Sequence, residues 1–368
     1  MLNHVIGMIG RIAMDARRVW IVGALLALSV VAMVSAGSVP RVQAAADFDF
    51  TAAIEAKLTA SDATADANFG ASVSVSGDTA VVGAHLDVNA GTPSGSAYVF
   101  VRSGAVWTEQ AKLTASETAT HDLFGWSVSV SGDTAVVGAR ADDHEGLDSG
   151  SAYVFVRSGT VWTEQAKLTA SDSANGDAFG YSVSVSGDTA VVGASQDDDA
   201  GFNTGSAYVF ARSGVVWTEQ AKLTVSDPTV NALFGQSVSV SGDTAVVGAW
   251  GEDDAGSDSG SAYVFVRSGA VWSEQAKLTA SDPAAHNRFG YTTSVNGDTA
   301  LVGAFQNSAA GTASGSAYVF VRSGAAWTEQ AKLMASDATA FDSFGFSVSV
   351  GGDTAVVGAW GDDDAGSE

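Results

Sequence analysis

The sequence contains no cysteine. Disulfides, thiolate metal sites and a cysteine nucleophile are therefore excluded, and thiol usage says nothing about the redox compartment. Proline is nearly as scarce, at 4 residues in 368, and basic side chains are few: 17 Lys and Arg stand against 41 Asp and Glu, for a net charge of −24. That balance opposes nucleic acid and anionic lipid, whose recognition needs Lys and Arg to displace counterions. Cations and basic partners fit better. The five histidines, at 4, 85, 121, 144 and 286, share no register and form no ligand spacing. No Gly-x-Ser-x-Gly elbow with a paired histidine is present. Nothing after residue 47 reads as a long helix.

Glycine, at 42 residues, is plentiful, and β-branched and aromatic residues fill many of the apolar positions, a β-rich composition with many tight turns. At the N-terminus, Arg11, Arg17 and Arg18 precede an apolar run from Val19 to Ala36, and Ala44-Ala45-Ala46 offers a small-residue cleavage site before Asp47. Residues 1–46 are expected to be a secretory signal peptide, with an uncleaved membrane anchor as the alternative. Cleavage implies a secreted or cell-surface protein and no membrane insertion of the mature chain.

The pair Phe-Gly stands at 69/70, 124/125, 179/180, 234/235, 289/290 and 344/345, a constant spacing of 55 residues. Such a period marks an array of supersecondary units that bury their apolar faces against one another. Within one unit, Ser127-Val128-Ser129-Val130-Ser131 alternates at period two, and Gly132-Asp133 separates it from Thr134-Ala135-Val136-Val137-Gly138-Ala139. This predicts a hairpin with a primed two-residue turn. Residues 151–156 and 161–168 supply a third and a fourth strand. Small Ser and Val suit a crowded inner strand, while Glu164, Gln165 and Lys167 suit an outer edge that must resist further pairing. The expected fold class is all-β, a β-propeller of four-stranded antiparallel blades spanning residues 47–368. The alternatives are a β-solenoid and a row of separate sandwiches, the latter of which would need longer units.

The Phe-Gly opening, the Val-Val-Gly-Ala closing and the downstream Gly-Ser-Ala-Tyr-Val-Phe resemble FG-GAP repeats, the blades of the integrin α-chain N-terminal propeller and of many bacterial surface proteins. The residue after Gly-Ala is His85, Arg140, Ser195, Trp250, Phe305 or Trp360, never the proline of the family's name. Residues 52–58 match the end of a fourth strand and precede the first Phe-Gly, which suggests ring closure by an N-terminal strand. The sixth unit stops before its third strand, so the propeller is expected to be C-terminally incomplete, part of a longer chain with six or seven blades in all.

Two loops in most units are acidic, and alternating strand direction puts both at one end. One contains Asp142, Asp143 and Glu145; Asp197, Asp198 and Asp199; Glu252, Asp253 and Asp254; or Asp362, Asp363 and Asp364. The other precedes Phe-Gly, as with Asp62 and Asp66, Asp172 and Asp177, or Asp337 and Asp342. Clustered carboxylates can supply the oxygen ligands that Ca2+ prefers, which makes these loops candidate metal sites; the competing reading is a solvated acidic rim. The resemblance implies a calcium loop between Phe-Gly and Gly-Ala, but that segment is a Gly-Asp hairpin here, so the family's site does not carry over. Unit five has only Asn307, against a design of one ion per blade. No cofactor is required.

Trp107, Trp162, Trp217, Trp272 and Trp327 recur and are expected to pack between blades. Lys112 and its counterparts are expected to pair with Glu on the outer strands. Trp250 and Trp360, beside the acidic loops, are the candidate partner contacts. The resemblance implies a non-enzymatic binding or adhesion module that meets a basic protein, a cation or a glycan through its acidic face. The alternatives are a propeller belonging to a glycan-acting extracellular enzyme and a purely structural envelope repeat.

Overall fold

The computed structural model describes residues 19–22, 55–89, 92–117 and 119–363. The expected signal peptide lies outside the described residues apart from Val19–Val22, which pairs antiparallel with Glu55–Leu58. Among the described residues there are no helices, and none therefore long and apolar enough to cross a membrane.

Five four-stranded antiparallel sheets follow one another, each made from strands consecutive along the chain except for a small side hairpin in the first, and a two-stranded sheet comes last. The second sheet is representative. Phe124–Ser131 pairs with Thr134–Ala139 across the Gly132-Asp133 turn, then come Ser151–Ser158 and Val161–Leu168. Gly132 has φ near +57°, which the primed turn demands and which glycine alone adopts without strain. The first strands of successive sheets lie close together and the fourth strands hardly touch, so the sheets fan outward from a common axis. This is the β-propeller expected from the repeat.

Apolar alternation supplies the packing between blades. Val128, Val130, Ala135, Val137, Tyr153 and Phe155 meet Val81, Ala97, Val99 and Leu113 of the preceding sheet, and the same set recurs down the array. The inner-strand serines point into the same seam for a polar reason. Ser74 Oγ accepts from Val130 N at 3.0 Å, and Ser76 Oγ from Gly132 N at 3.1 Å, so the unpaired edge of one inner strand is satisfied by hydroxyls of the sheet before it. Ser127 Oγ donates to Gly180 O at 2.8 Å.

The two glycines of the motif make that approach close enough. A Cβ on Gly138 would stand 2.1 Å from Gly180 O, and one on Gly180 would stand 2.3 Å from Ser151 O. Outer strands are tied as well: Trp162 Nε1 donates to Gln110 Oε1 of the preceding blade at 2.9 Å, so the repeated tryptophans do pack between blades. Residues 55–61 sit against the first sheet as every outer strand sits against its successor, with Leu58 buried and Ser61 Oγ donating to Glu109 at 2.8 Å.

Candidate functional site

Each fourth strand sends one lysine back over its own sheet to the acidic end. Lys222 Nζ lies 2.8 Å from Asp172, 2.9 Å from Asp197 and 2.5 Å from Asp199. Tyr208, buried beneath, donates its hydroxyl to Asp172 and Asp197, both at 2.8 Å, and the ammonium sits over the tyrosine ring. The first sheet repeats this with Lys112, Asp62, Asp87 and Tyr98. In the second, Lys167 meets Glu117 and Asp142, and Tyr153 donates to Asp142 at 2.6 Å. In the fourth, Lys277 meets Asp227, Glu252 and Asp254. In the fifth, Lys332 bonds Asp282 and Asn307, so the neutral residue of unit five fills the same seat.

These clasps set the local electrostatics. Burial works against ionisation of Asp62 and Asp172, yet hydrogen bonds from the lysine and tyrosine hold both below the ordinary carboxylate range. Burial would depress Lys112, but its two aspartates outweigh it and raise the ammonium above its usual value. Glu252 differs. It is fully buried, Oε1 has no hydrogen-bond partner, and burial lifts its pKa despite Lys277.

A second set of residues occupies the axial side of the same end. The position after Phe-Gly holds Ala71, Trp126, Tyr181, Gln236, Tyr291 and Phe346; the position after Gly-Ala holds His85, Arg140, Ser195, Trp250, Phe305 and Trp360. The ring centroids of His85 and Trp126 are 4.9 Å apart, and those of Trp126 and Tyr181 5.6 Å. Gln236 Nε2 donates to Tyr181 Oη at 2.8 Å. Tyr291 continues the row, 6.3 Å from Trp250, 4.5 Å from Phe305 and 5.4 Å from Phe346, on which Trp360 stacks at 5.5 Å. Two guanidinium groups lie on these rings, Arg140 at 4.0 Å over Trp126 and Arg288 at 4.5 Å over Trp250. Burial and then the Arg140 charge depress His85 to about 4, so the imidazole is neutral at physiological pH.

The model of the FG-GAP repeat matches residues 53–100, 107–155, 162–210, 217–265, 272–320 and 327–368. The chain is an FG-GAP repeat protein. A search of curated proteins finds no match.

The candidate metal residues of this FG-GAP protein divide into four groups. Asp142, Asp197, Asp199, Glu252 and Asp254 belong to the lysine clasps. Two of these, the trios Asp172, Asp197, Asp199 and Asp227, Glu252, Asp254, bring carboxylate oxygens close enough to share a cation, and a lysine ammonium stands among each. Asp143, Asp198 and Asp253 instead accept the backbone N–H of residue i+5, which fixes a left-handed residue in each loop: Asp148, Asn203 and Asp258. Glu145 lies 3.7 Å from His144. Asp362 and Asp363 are at the last loop, and Asp364 lies outside the described residues.

The expected partners of the repeated lysines need correction. They reach the loop acids rather than the outer-strand Glu, because those Glu side chains are taken by serines of the preceding blade, as Glu164 is by Ser116 N and Oγ at 2.8 and 2.7 Å. Trp250 is half-buried within the axial row, whereas Trp360 is 58% exposed. The sequence reading missed Arg140, Arg288, Tyr181, Tyr291, Phe305 and Phe346. Their signal was available: they vary at registers flanked by residues that hardly change from unit to unit.

Proposed function

We propose that this FG-GAP propeller is a secreted or cell-surface binding module whose ligand seat is the axial row, rather than the acidic loops themselves. One observation carries the reading: a frame repeated nearly residue for residue changes identity at the registers that converge on one end of the axis. Positions needed for packing keep the frame residue, as Val137 and Phe155 do. A row of aromatic, guanidinium and amide groups assembled from several blades has the composition of recognition surfaces. The acids of the clasps are accounted for by their lysine and tyrosine partners, which supply positive charge without an ion. A non-catalytic role is favoured because the lysine-held carboxylates recur from blade to blade instead of forming one unique pair, and the scaffold alone implies no chemistry.

The test is retention of the immobilised chain's ligands from a panel of glycans and extracellular-matrix proteins, comparing wild type with Trp126→Ala/Tyr291→Ala. Loss of retention in the variant, with unchanged thermal unfolding, supports the axial seat. Equal retention by the two proteins, or none by the wild type, overturns it.

A further inference from the structure

Resting on that axial seat, we infer that it recognises a short acidic oligosaccharide, with Arg140 and Arg288 receiving sugar carboxylates and the neighbouring rings stacking on the pyranose faces. The two arginines stand apart from the rest. Among the described residues every other arginine pairs with the aspartate of its own hairpin turn: Arg102 with Asp78, Arg157 with Asp133, Arg212 with Asp188, Arg267 with Asp243 and Arg322 with Asp298. Arg140 and Arg288 contact only rings, and in each the buried Nε has no hydrogen-bond partner. A guanidinium over an indole ring still carries its N–H fork in its own plane, the geometry that a planar carboxylate meets with two parallel bonds.

The other unsatisfied atoms of the row extend the argument. Buried donors and acceptors are nearly always paired in a folded protein, so a concentration of unpaired ones marks where an outside partner completes them. His85 Nδ1, Ser195 Oγ and Trp250 Nε1 are unpaired, and each lies at the register after Gly-Ala. Single polar groups therefore alternate with broad aromatic faces. Sugars present that alternation, with hydroxyls around the ring edge and C–H groups on its faces.

The net charge of −24 favours a short ligand over a long polyanion. A long polyanion would run past the acidic rim and be repelled, whereas repulsion beyond about 8 Å is screened at physiological ionic strength. A ligand confined to the axial seat meets Arg140 and Arg288, neither of which pairs with an acid among the described residues.

Calorimetric titration of the whole chain with a trigalacturonate, and with its methyl ester, at physiological salt tests the inference. The ester keeps ring and hydroxyls and removes the charge. The acid should bind at least tenfold more tightly than the ester, and Arg140→Gln/Arg288→Gln should abolish that preference without lowering the unfolding temperature. Trp126→Ala should weaken both sugars. Equal binding of acid and ester, or an arginine variant that retains the preference, overturns the acidic-sugar assignment while the panel experiment continues to support the axial seat. Binding of neither trisaccharide overturns it as well, and binding only of a sulfated trisaccharide of the same length transfers the site to sulfate and overturns the carboxylate.

Discussion

Asp177 shows at the residue scale how crowding carboxylates costs stability. It is buried beneath the loop, and burial, with Asp197 and Asp199 nearby, raises it from 3.8 to about 6 although Ala174 N donates to it at 2.6 Å. The fold thus favours its neutral form. Its stabilising contribution is complete below about 3.8 and is lost as pH rises through about 6. Asp177→Asn should therefore raise the unfolding temperature by a few degrees at pH 7.5, and the gain should shrink to nothing near pH 4. A variant no more stable than wild type at pH 7.5 would contradict the assignment. Asp172 has the opposite sign: its folded pKa is lowered, so its contribution is present above 3.8 and fails as pH falls through the folded value. Asp172→Asn should be destabilising at neutral pH and nearly silent in strong acid, as a thermal scan at several pH values would show.

At the scale of the element, the seam between inner strands depends on hydroxyls and on missing side chains. Ser184→Ala removes the acceptor for Val240 N, 3.0 Å away, and leaves that N–H buried without a partner. Chemical denaturation should report a loss of about 1–3 kcal/mol, the usual cost of such an orphan. The glycines separate two physical causes. Gly132→Ala meets no atom within 4 Å and suffers only from φ near +57°, a cost of roughly 1–2 kcal/mol. Gly138→Ala would press its Cβ into Gly180 O and Ser127 Oγ, so neighbouring sheets must part, and it should lose more than twice as much. Equal losses at the two sites would show that the sheets are not held as closely as described.

Across the whole molecule, the clasps join segments far apart in the chain: Lys222 is 50 residues from Asp172 and 25 from Asp197. Since ammonium groups already occupy the acidic clusters, neither excess calcium nor a chelator should move the thermal unfolding midpoint. A calcium-dependent rise would place an ion there, because a ligand that binds the native state must stabilise it. Much of this architecture was legible beforehand. The Gly132-Asp133 turn, the inner and outer strands, the packing role of Trp162 and the placement of both acidic loops at one end all follow from period, alternation and turn chemistry, which are local. The lysine clasps and the axial row were not, since Lys167 beside Asp142, and Arg140 on Trp126 next to Tyr181, are neighbours only once strands fold back and blades stack.

The sequence by itself determined that this protein is a repeated, acidic, all-β propeller, because hydrophobic period and glycine turns act over a few residues and recur every 55. Only the tertiary structure decided what its charges do. Coulomb and hydrogen-bond energies depend on distances across blades, and those distances made lysine partners of Asp142, Asp197 and Glu252 and, among the described residues, set Arg140 and Arg288 on rings instead of beside an acid.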